Sequence, residues 1–427
     1  MNEQASELND KLKEANPALL DMLSKKGKEI FFPKRGVLQQ TADAKGKDIN
    51  ATIGIALEED GSPMRLKSIS SNVKLGPKDI FPYAPGFGRP DLREIWKESL
   101  FTKNPSLKGK EISNPVATSG LTQGLFVSGY LFVDAKDKII MPDIYWENYN
   151  LVFKNGYGAE FDSFPFFSEN GFNLKGFEET ISKGKGKKIV FFNFPNNPVG
   201  YTVSESEAGK ITDIIKNRAE KGDKIVVIVD DAYFGLVYED GIYKESLFSN
   251  LADLHENVLA VKVDGPTKES YVWGLRVGFI TYGIKNGNQK IYSALEAKSG
   301  GIVRGSVSMC SNLSQSLIVD AIKSSDYDED KREKYDILKK RYEIVKEIFG
   351  SHKEYSEYFE ALPFNSGYFM CVKLKNLDAE KVRKILLDNY STGVIAIENL
   401  LRVTFSAIPS DKISKIFENI YNACKEA

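Results

Sequence analysis

Between residues 113 and 284, short apolar runs alternate with longer amphipathic stretches, and this alternation constrains the fold more than any other feature. The run "DKIVVIVDD" (223–231) holds only Ile and Val from 225 to 229. A β-branched strand with no polar position along it is suited to burial on both faces. "NPVATSG", "DKIIMPD", "KKIVFFNFP" (187–195), "NVLAVKVD" (257–264) and "GFITYG" read as further strands. Helices are expected over "LTQGLFVSGYLFV", "ENYNLVFKNGY" and "SESEAGKITDIIKNRAEKG", the last started by Ser204 or Ser206 and ended by Gly222. Strand–helix alternation predicts an α/β fold in which helices cover both faces of a mostly parallel sheet. A ligand of such a sheet sits outside the carboxyl ends of the strands.

The flanks differ. Residues 308–350 read as long helices, and the charge-rich "DEDKREKYDILKKRYEIVKEIFG" as a solvated helix face. Residues 355–427 alternate strand and helix again, in "SGYFMCVKL", "DAEKVRKILLDNY", "LLRVTFSAI" and "SDKISKIFENIYNACKEA", as a smaller α/β unit. With 427 residues the chain has room for two to three domain-sized units. The expected division is an N-terminal segment, 1–64, that joins the small domain; a large domain, 65–325; and the rest of the small domain, 326–427.

Several function classes are excluded early. The formal net charge is -1 and no basic tract interleaves with aromatics, so neither nucleic acid nor an anionic membrane is an expected partner. No apolar run approaches the ~20 residues that span a bilayer. The polar start "MNEQASELNDKLKEANPALL" lacks the apolar core of a signal peptide. Cys310, Cys371 and Cys424 lie far apart, with neither a disulfide framework nor zinc spacing, and suit a reducing cytoplasm. His255 and His352 are the only histidines, which leaves little material for a histidine triad or metal centre. Proton chemistry must then rest on Lys, Asp, Tyr or a cofactor. "SKGKGKK" (182–188) precedes a strand and lacks phosphate-loop spacing, so it reads as an exposed basic turn.

Polar residues cluster where the sheet should place its ligand. "TSGLTQG" (118–124) is a glycine-rich turn into a helix, whose free N–H groups suit a phosphate. "DIYWENY" follows the next strand and carries Trp146. "NFPNNPVGYT" (193–202) is a rigid Asn- and Pro-rich turn. Asp230 and Asp231 end the most apolar strand, where burial without a partner is costly and a ligand cation would supply one. Lys268 ends the next, with Arg276 eight residues on.

The ordered set N-P-x-G (197–200), D-x-A-Y (230–233), Lys268 with Arg276, and the late Arg402 resembles the pyridoxal-phosphate-dependent aminotransferases of fold type I, class I/II, the aspartate and aromatic aminotransferase group. The resemblance runs from "INATIGIALEEDGSP" to "LLRVTFSAIP". It implies a three-layer large domain, a smaller α/β domain, and pyridoxal 5'-phosphate as cofactor. It makes Lys268 the Schiff-base and proton-transfer lysine, Asp230 the partner of the pyridine nitrogen, and Tyr233 and Asn197 the donors to the ring hydroxyl oxygen. Trp146 would stack on the ring. Gly120, Leu121 and Thr122, with Arg276 as charged partner, would hold the phosphate. Tyr83 would reach the phosphate of a neighbouring subunit in a homodimer. Arg402 would clamp the substrate α-carboxylate, Asn197 would also face the substrate, and Ile53 and Gly54 would close over it.

The implied reaction is ping-pong transfer of an amino group from an amino acid to a 2-oxo acid such as 2-oxoglutarate. Arg304, in "GGIVRGSVS" (300–308), matches an arginine that reads a distal carboxylate across the interface. That points to aspartate- or glutamate-like donors, then aromatic ones; the plainer alternative is that Arg304 caps a helix C-terminus. Other chemistry on the same cofactor, such as C–S lysis, decarboxylation or racemisation, is the alternative enzyme reading. A ligand-sensing regulator on the same fold is disfavoured, since no winged-helix segment precedes residue 50. In one respect the chain departs from the group: Gly265 stands where many relatives carry a phosphate-binding serine, with Thr267 a candidate substitute. Asp231 is expected to face away from Asp230 and to tolerate Asn.

Overall fold

The computed structural model describes every residue except 34, 35, 72 and 170. Among these residues, β1 (Val116–Thr118), β2 (Lys138–Pro142), β3 (Glu160–Phe164), β4 (Lys187–Asn193), β5 (Lys224–Asp230), β6 (Val258–Asp264) and β7 (Gly278–Ile284) form a seven-stranded sheet. Its order is β1-β7-β6-β5-β4-β2-β3. β7 runs antiparallel to both neighbours and the other pairs are parallel. The β-branched run of β5 is buried except at half-buried Val226, with Val227 and Ile228 at 0% exposure. Register aligns Asn193, Asp230 and Val263, so the polar ends of β4 and β5 fall side by side.

Local signals set the helix ends. α1 (Leu121–Phe132) starts after Gly120, whose φ is 76°. α2 (Glu205–Glu220) begins with a capping box: the Ser204 side chain accepts from Glu207 N–H and the Glu207 carboxylate accepts from Ser204 N–H. The helix expected over "ENYNLVFKNGY" is instead a widened π-turn, Asn150–Asn155. Such turns interrupt the α-helical bond pattern and are frequent near functional sites. The basic turn 182–188 is exposed only in part, because Lys187 and Lys188 already belong to β4. Lys188 is buried, and its ammonium donates to the carbonyls of Lys183 and Gly184.

α3 (Gln289–Ser306) and α4 (Tyr327–Ser351) lead to the second sheet. That sheet holds β8 (Phe359–Ala361), β9 (Met370–Leu374), β10 (Ile395–Ile397) and β11 (Leu400–Val403), in the antiparallel order β8-β9-β11-β10. Ile49–Asn50 pairs in parallel with Thr392–Gly393, stitching the N-terminal segment to the C-terminal unit. The expected solvated face of α4 is only half of that helix. Arg341, in its middle, is fully buried: Nη1 donates to the carbonyls of Leu57 (2.8 Å) and Ser406 (2.6 Å), and Nη2 meets Glu59 (3.1 Å). Irregular backbone from both ends of the chain lies against α4, and a guanidinium supplies the donors those carbonyls need. No helix among the described residues is long and apolar enough to cross a membrane.

Gly200 closes the 193–202 turn against the C-terminal unit. Its carbonyl accepts from the N–H groups of Asn365 and Ser366, both at 2.9 Å. Its φ is 71°, and a Cβ there would fall 1.9 Å from the Phe369 carbonyl oxygen. Both backbone strain and collision oppose any side chain. Gly200→Ala is expected to lower the unfolding free energy by about 3 kcal/mol, read as a lowered denaturant midpoint at unchanged slope.

Candidate active site

A cavity of about 410 Å3 opens at the carboxyl ends of β4, β5 and β6. Asp230 ends β5, and Lys268 stands four residues beyond β6, in the single turn Pro266–Glu269. Both face this cavity, together with Tyr233 and Asn197. The Lys268 ammonium lies 5.0 Å from the Tyr233 ring centre. Burial, reinforced by Arg276, pushes the Lys268 pKa down to about 8 against the pull of Asp230. At neutral pH a useful fraction of that amine is therefore unprotonated.

Asp230 is 2% exposed. Its Oδ2 accepts from the Tyr149 hydroxyl at 2.7 Å and its Oδ1 from the Ala232 N–H at 3.0 Å. Burial raises its pKa, opposed by the Tyr149 bond and the Lys268 charge. Tyr233 is held protonated by burial, with Arg402 and the Asn197 side chain opposing. Asn197 is fixed in turn by Asn193, whose Oδ1 accepts the Asn197 N–H at 3.0 Å.

Arg402, from β11, is 5% exposed and lies over the Phe369 ring at 4.7 Å. Its Nη2 donates to the Thr52 carbonyl (2.9 Å) and its Nη1 reaches Asn197 Oδ1 (3.5 Å), while Nε has no protein partner among the described residues. Ile53 and Gly54 line the same cavity. On its other side are Leu121, Thr122, Trp146, Thr267 and Arg276. Arg276 packs against Gly120 so closely that a Cβ on Gly120 would lie 2.3 Å from its Nη2. The glycine thus leaves room for the guanidinium beside the start of α1, a cationic cradle with free N–H groups.

Gly265 has a local cause. A Cβ there would sit 2.8 Å from Gly278 Cα and 2.9 Å from the Val277 carbonyl oxygen, so β7 excludes a serine. The Thr267 hydroxyl donates to the Val277 carbonyl at 3.3 Å. Tyr83 and Arg304 stand apart from the cavity. Tyr83 is 88% exposed; Arg304 is exposed in the last turn of α3, with Nη1 on Ser308 Oγ at 2.9 Å. α3 runs on to Ser306, so Arg304 lies inside the last turn of the helix it was expected to cap from beyond its end.

Sequence reasoning missed Tyr149, Asn193, Trp273 and Phe369, and also Val37 and Leu38, which border the cavity from the N-terminal segment. Tyr149 had a signal: it follows Trp146 by three residues, which puts both on one side of a turn. The expectation for Asp231 needs correction. It does face away from Asp230, but it is 3% exposed, bonded by the Lys262 ammonium and by Ser246 Oγ at 2.6 Å. Lys262 is itself 1% exposed.

The sheet order, the separate four-stranded sheet and the cavity at the strand ends define a fold type I α/β architecture, which solved structures share. An aminotransferase from Anaerococcus prevotii superposes with a TM-score of 0.83 at 24% identity, covering 94% of this chain and 98% of its own. The Pyrococcus horikoshii kynurenine aminotransferase, solved with PMP, gives 0.78 at 18% identity, covering 96% and 98%. The model of the family described as aminotransferase class I and II matches residues 65–420, and the chain belongs to that family. A probable aspartate/prephenate aminotransferase of Aquifex aeolicus is 29% identical over 46% of this chain and 48% of its own length. A histidinol-phosphate aminotransferase of Caldanaerobacter subterraneus is 28% identical over 65% and 68%. The chain spans about half the length of most of the curated relatives it matches.

Asp231→Asn would leave Lys262 with Asp264 alone, at 3.6 Å. Lys262 then keeps a carboxylate but loses its nearer, charge-assisted hydrogen bond, so a loss of about 2 kcal/mol in unfolding free energy is expected. Urea unfolding followed by circular dichroism measures it; an unchanged midpoint would mean that the pair contributes nothing.

Proposed function

We propose that this protein is a pyridoxal-phosphate-dependent aminotransferase that moves an amino group from an aspartate- or glutamate-like or aromatic amino acid to a 2-oxo acid such as 2-oxoglutarate. The observation that carries the reading is the convergence of Lys268, Asp230, Tyr233, Asn197, Arg276 and Arg402 on one cavity. The residues fit the cofactor. A buried carboxylate, a cationic cradle missing a Cβ, a half-buried amine with a lowered pKa and an arginine Nε without a partner among the described residues are the features such a group and its substrate would satisfy.

The bound cofactor supplies an aldehyde and a ring that stabilises negative charge at the substrate Cα. Everything else falls to this chain. Arg276, Gly120, Leu121 and Thr122 hold the phosphate. Trp146 covers the ring, and Asp230, kept in position by Tyr149, holds a proton on the ring nitrogen. Tyr233 and Asn197 bond the ring oxygen. Arg402 grips the substrate α-carboxylate, orienting Cα toward Lys268, whose free amine then takes and returns the Cα proton. Ile53 and Gly54 exclude water above the substrate. Residues 1–64 and 326–427 act as one small domain against 65–325. Tyr83 and Arg304 complete the site of a second copy in a cytoplasmic homodimer, which their exposure suits.

The test is transamination of aspartate, glutamate, tyrosine and phenylalanine with 2-oxoglutarate by the full chain and its variants. Lys268→Ala is expected to lose activity by a thousandfold or more. Asp230→Asn should bind the cofactor yet fall about a hundredfold, the equivalent of about 2.7 kcal/mol. Near-normal turnover in either variant would overturn the assignment. Arg304→Ala should lower kcat/KM for aspartate roughly a hundredfold, within the range for a desolvated ion pair, and change tyrosine little. Equal losses for both substrates would refute the distal-carboxylate role.

With the Lys268 pKa near 8, lowering the pH protonates the amine. Cofactor uptake by the cofactor-free protein should slow roughly fivefold from pH 8 to pH 7, followed as growth of cofactor absorbance.

A further inference from the structure

A second cavity, of about 360 Å3, shares a wall with the first. Lys268 lines one and Glu269 the other, so the single turn Pro266–Glu269 separates them. Glu269 is 8% exposed, and its Oε1 takes two ammonium groups, Lys103 and Lys331, each at 2.6 Å. Lys103 ends the helix Pro90–Lys103 and Lys331 lies near the start of α4.

The charges beneath this cavity are unevenly shared. Further in, Lys262 meets two carboxylates, Asp231 and Asp264, and Trp96 Nε1 donates to Asp264 at 3.2 Å. At the cavity, two lysines meet one carboxylate. The negative excess is thus deep, while the cavity lining pairs its two ammonium groups with buried Glu269 and with Asp328, which is exposed at the rim. Lys103 also lies over the Trp96 ring, 4.4 Å away, and each ammonium keeps N–H donors beyond its bond to Glu269. Phe234, Leu236 and Ile322 add an apolar wall. Ligand cavities of this size usually pair apolar walls with a few convergent polar groups.

We propose that this cavity is a second ligand site for a small organic carboxylate, whose anionic end sits between Lys103 and Lys331 and whose carbon body lies on Phe234, Leu236 and Ile322. The site does not depend on the aminotransferase reading. A ligand there draws the two lysines from Glu269, and so reaches the turn that carries Lys268.

Benzoate is the probe, titrated calorimetrically into the full chain carrying Arg402→Gln, so that Arg402 does not compete for it. Saturable binding is expected, weakened at least tenfold by Lys331→Met and absent for the uncharged analogue benzamide. Because Lys331→Met breaks a buried pair and can fail to fold, Ile322→Trp fills the cavity without touching the ion network. It should abolish binding with the circular dichroism spectrum unchanged. No benzoate binding in the Arg402→Gln protein, undiminished binding in Ile322→Trp, or equal affinity for benzamide would overturn the proposal. Inorganic phosphate displacing benzoate at equal concentration would overturn the organic-carboxylate class.

Discussion

A sheet covered on both faces has two places for charge, its strand ends and isolated ion pairs within, and the polar features of the central sheet follow from that constraint. β5 is apolar from Ile225 to Val229 and then carries two consecutive aspartates. Alternation along the strand sends them in opposite directions. Asp230 meets Tyr149 and the cavity; Asp231 meets Lys262 in the interior. One strand end thus divides a reactive environment from a structural one. Asp231 and Lys262 on the structural side are as deeply buried as Asp230 on the reactive side.

Desolvation tunes the cavity groups before any ligand arrives. It pulls the Lys268 ammonium down, lifts the Asp230 carboxyl and lowers the Arg402 pKa. Each group is made less comfortable in its charged form, so each gains from a partner of opposite charge. A site built from such groups favours a ligand with positive and negative ends in fixed places over one bearing a single charge.

Much of this was legible in the sequence because strand ends are legible. Asp230, Lys268 and the 193–202 turn were located by where apolar runs stop, and their meeting follows from parallel strands in register. The residues that escaped notice act across faces or across long separations. Tyr149 and Asp230 are 81 positions apart, joined only by the order of the sheet. Lys262 lies in the middle of an apolar run, where nothing along the chain marks its partner. Arg341 looked like one charge among many on an exposed helix, until two chain termini folded against it. Gly265 read as a missing hydroxyl, when the nearer cause is the backbone of Gly278.

The pairing of Ile49–Asn50 with Thr392–Gly393, and of the Thr52 carbonyl with Arg402, joins the two extremes of the chain. Each of these two segments therefore depends on the backbone of the other. A chimera with a relative that exchanged the N-terminal 60 or so residues alone would bring a foreign backbone to Arg402 and to Arg341 together. Productive recombination between relatives would have to carry both ends from one parent, leaving the central sheet as the exchangeable block.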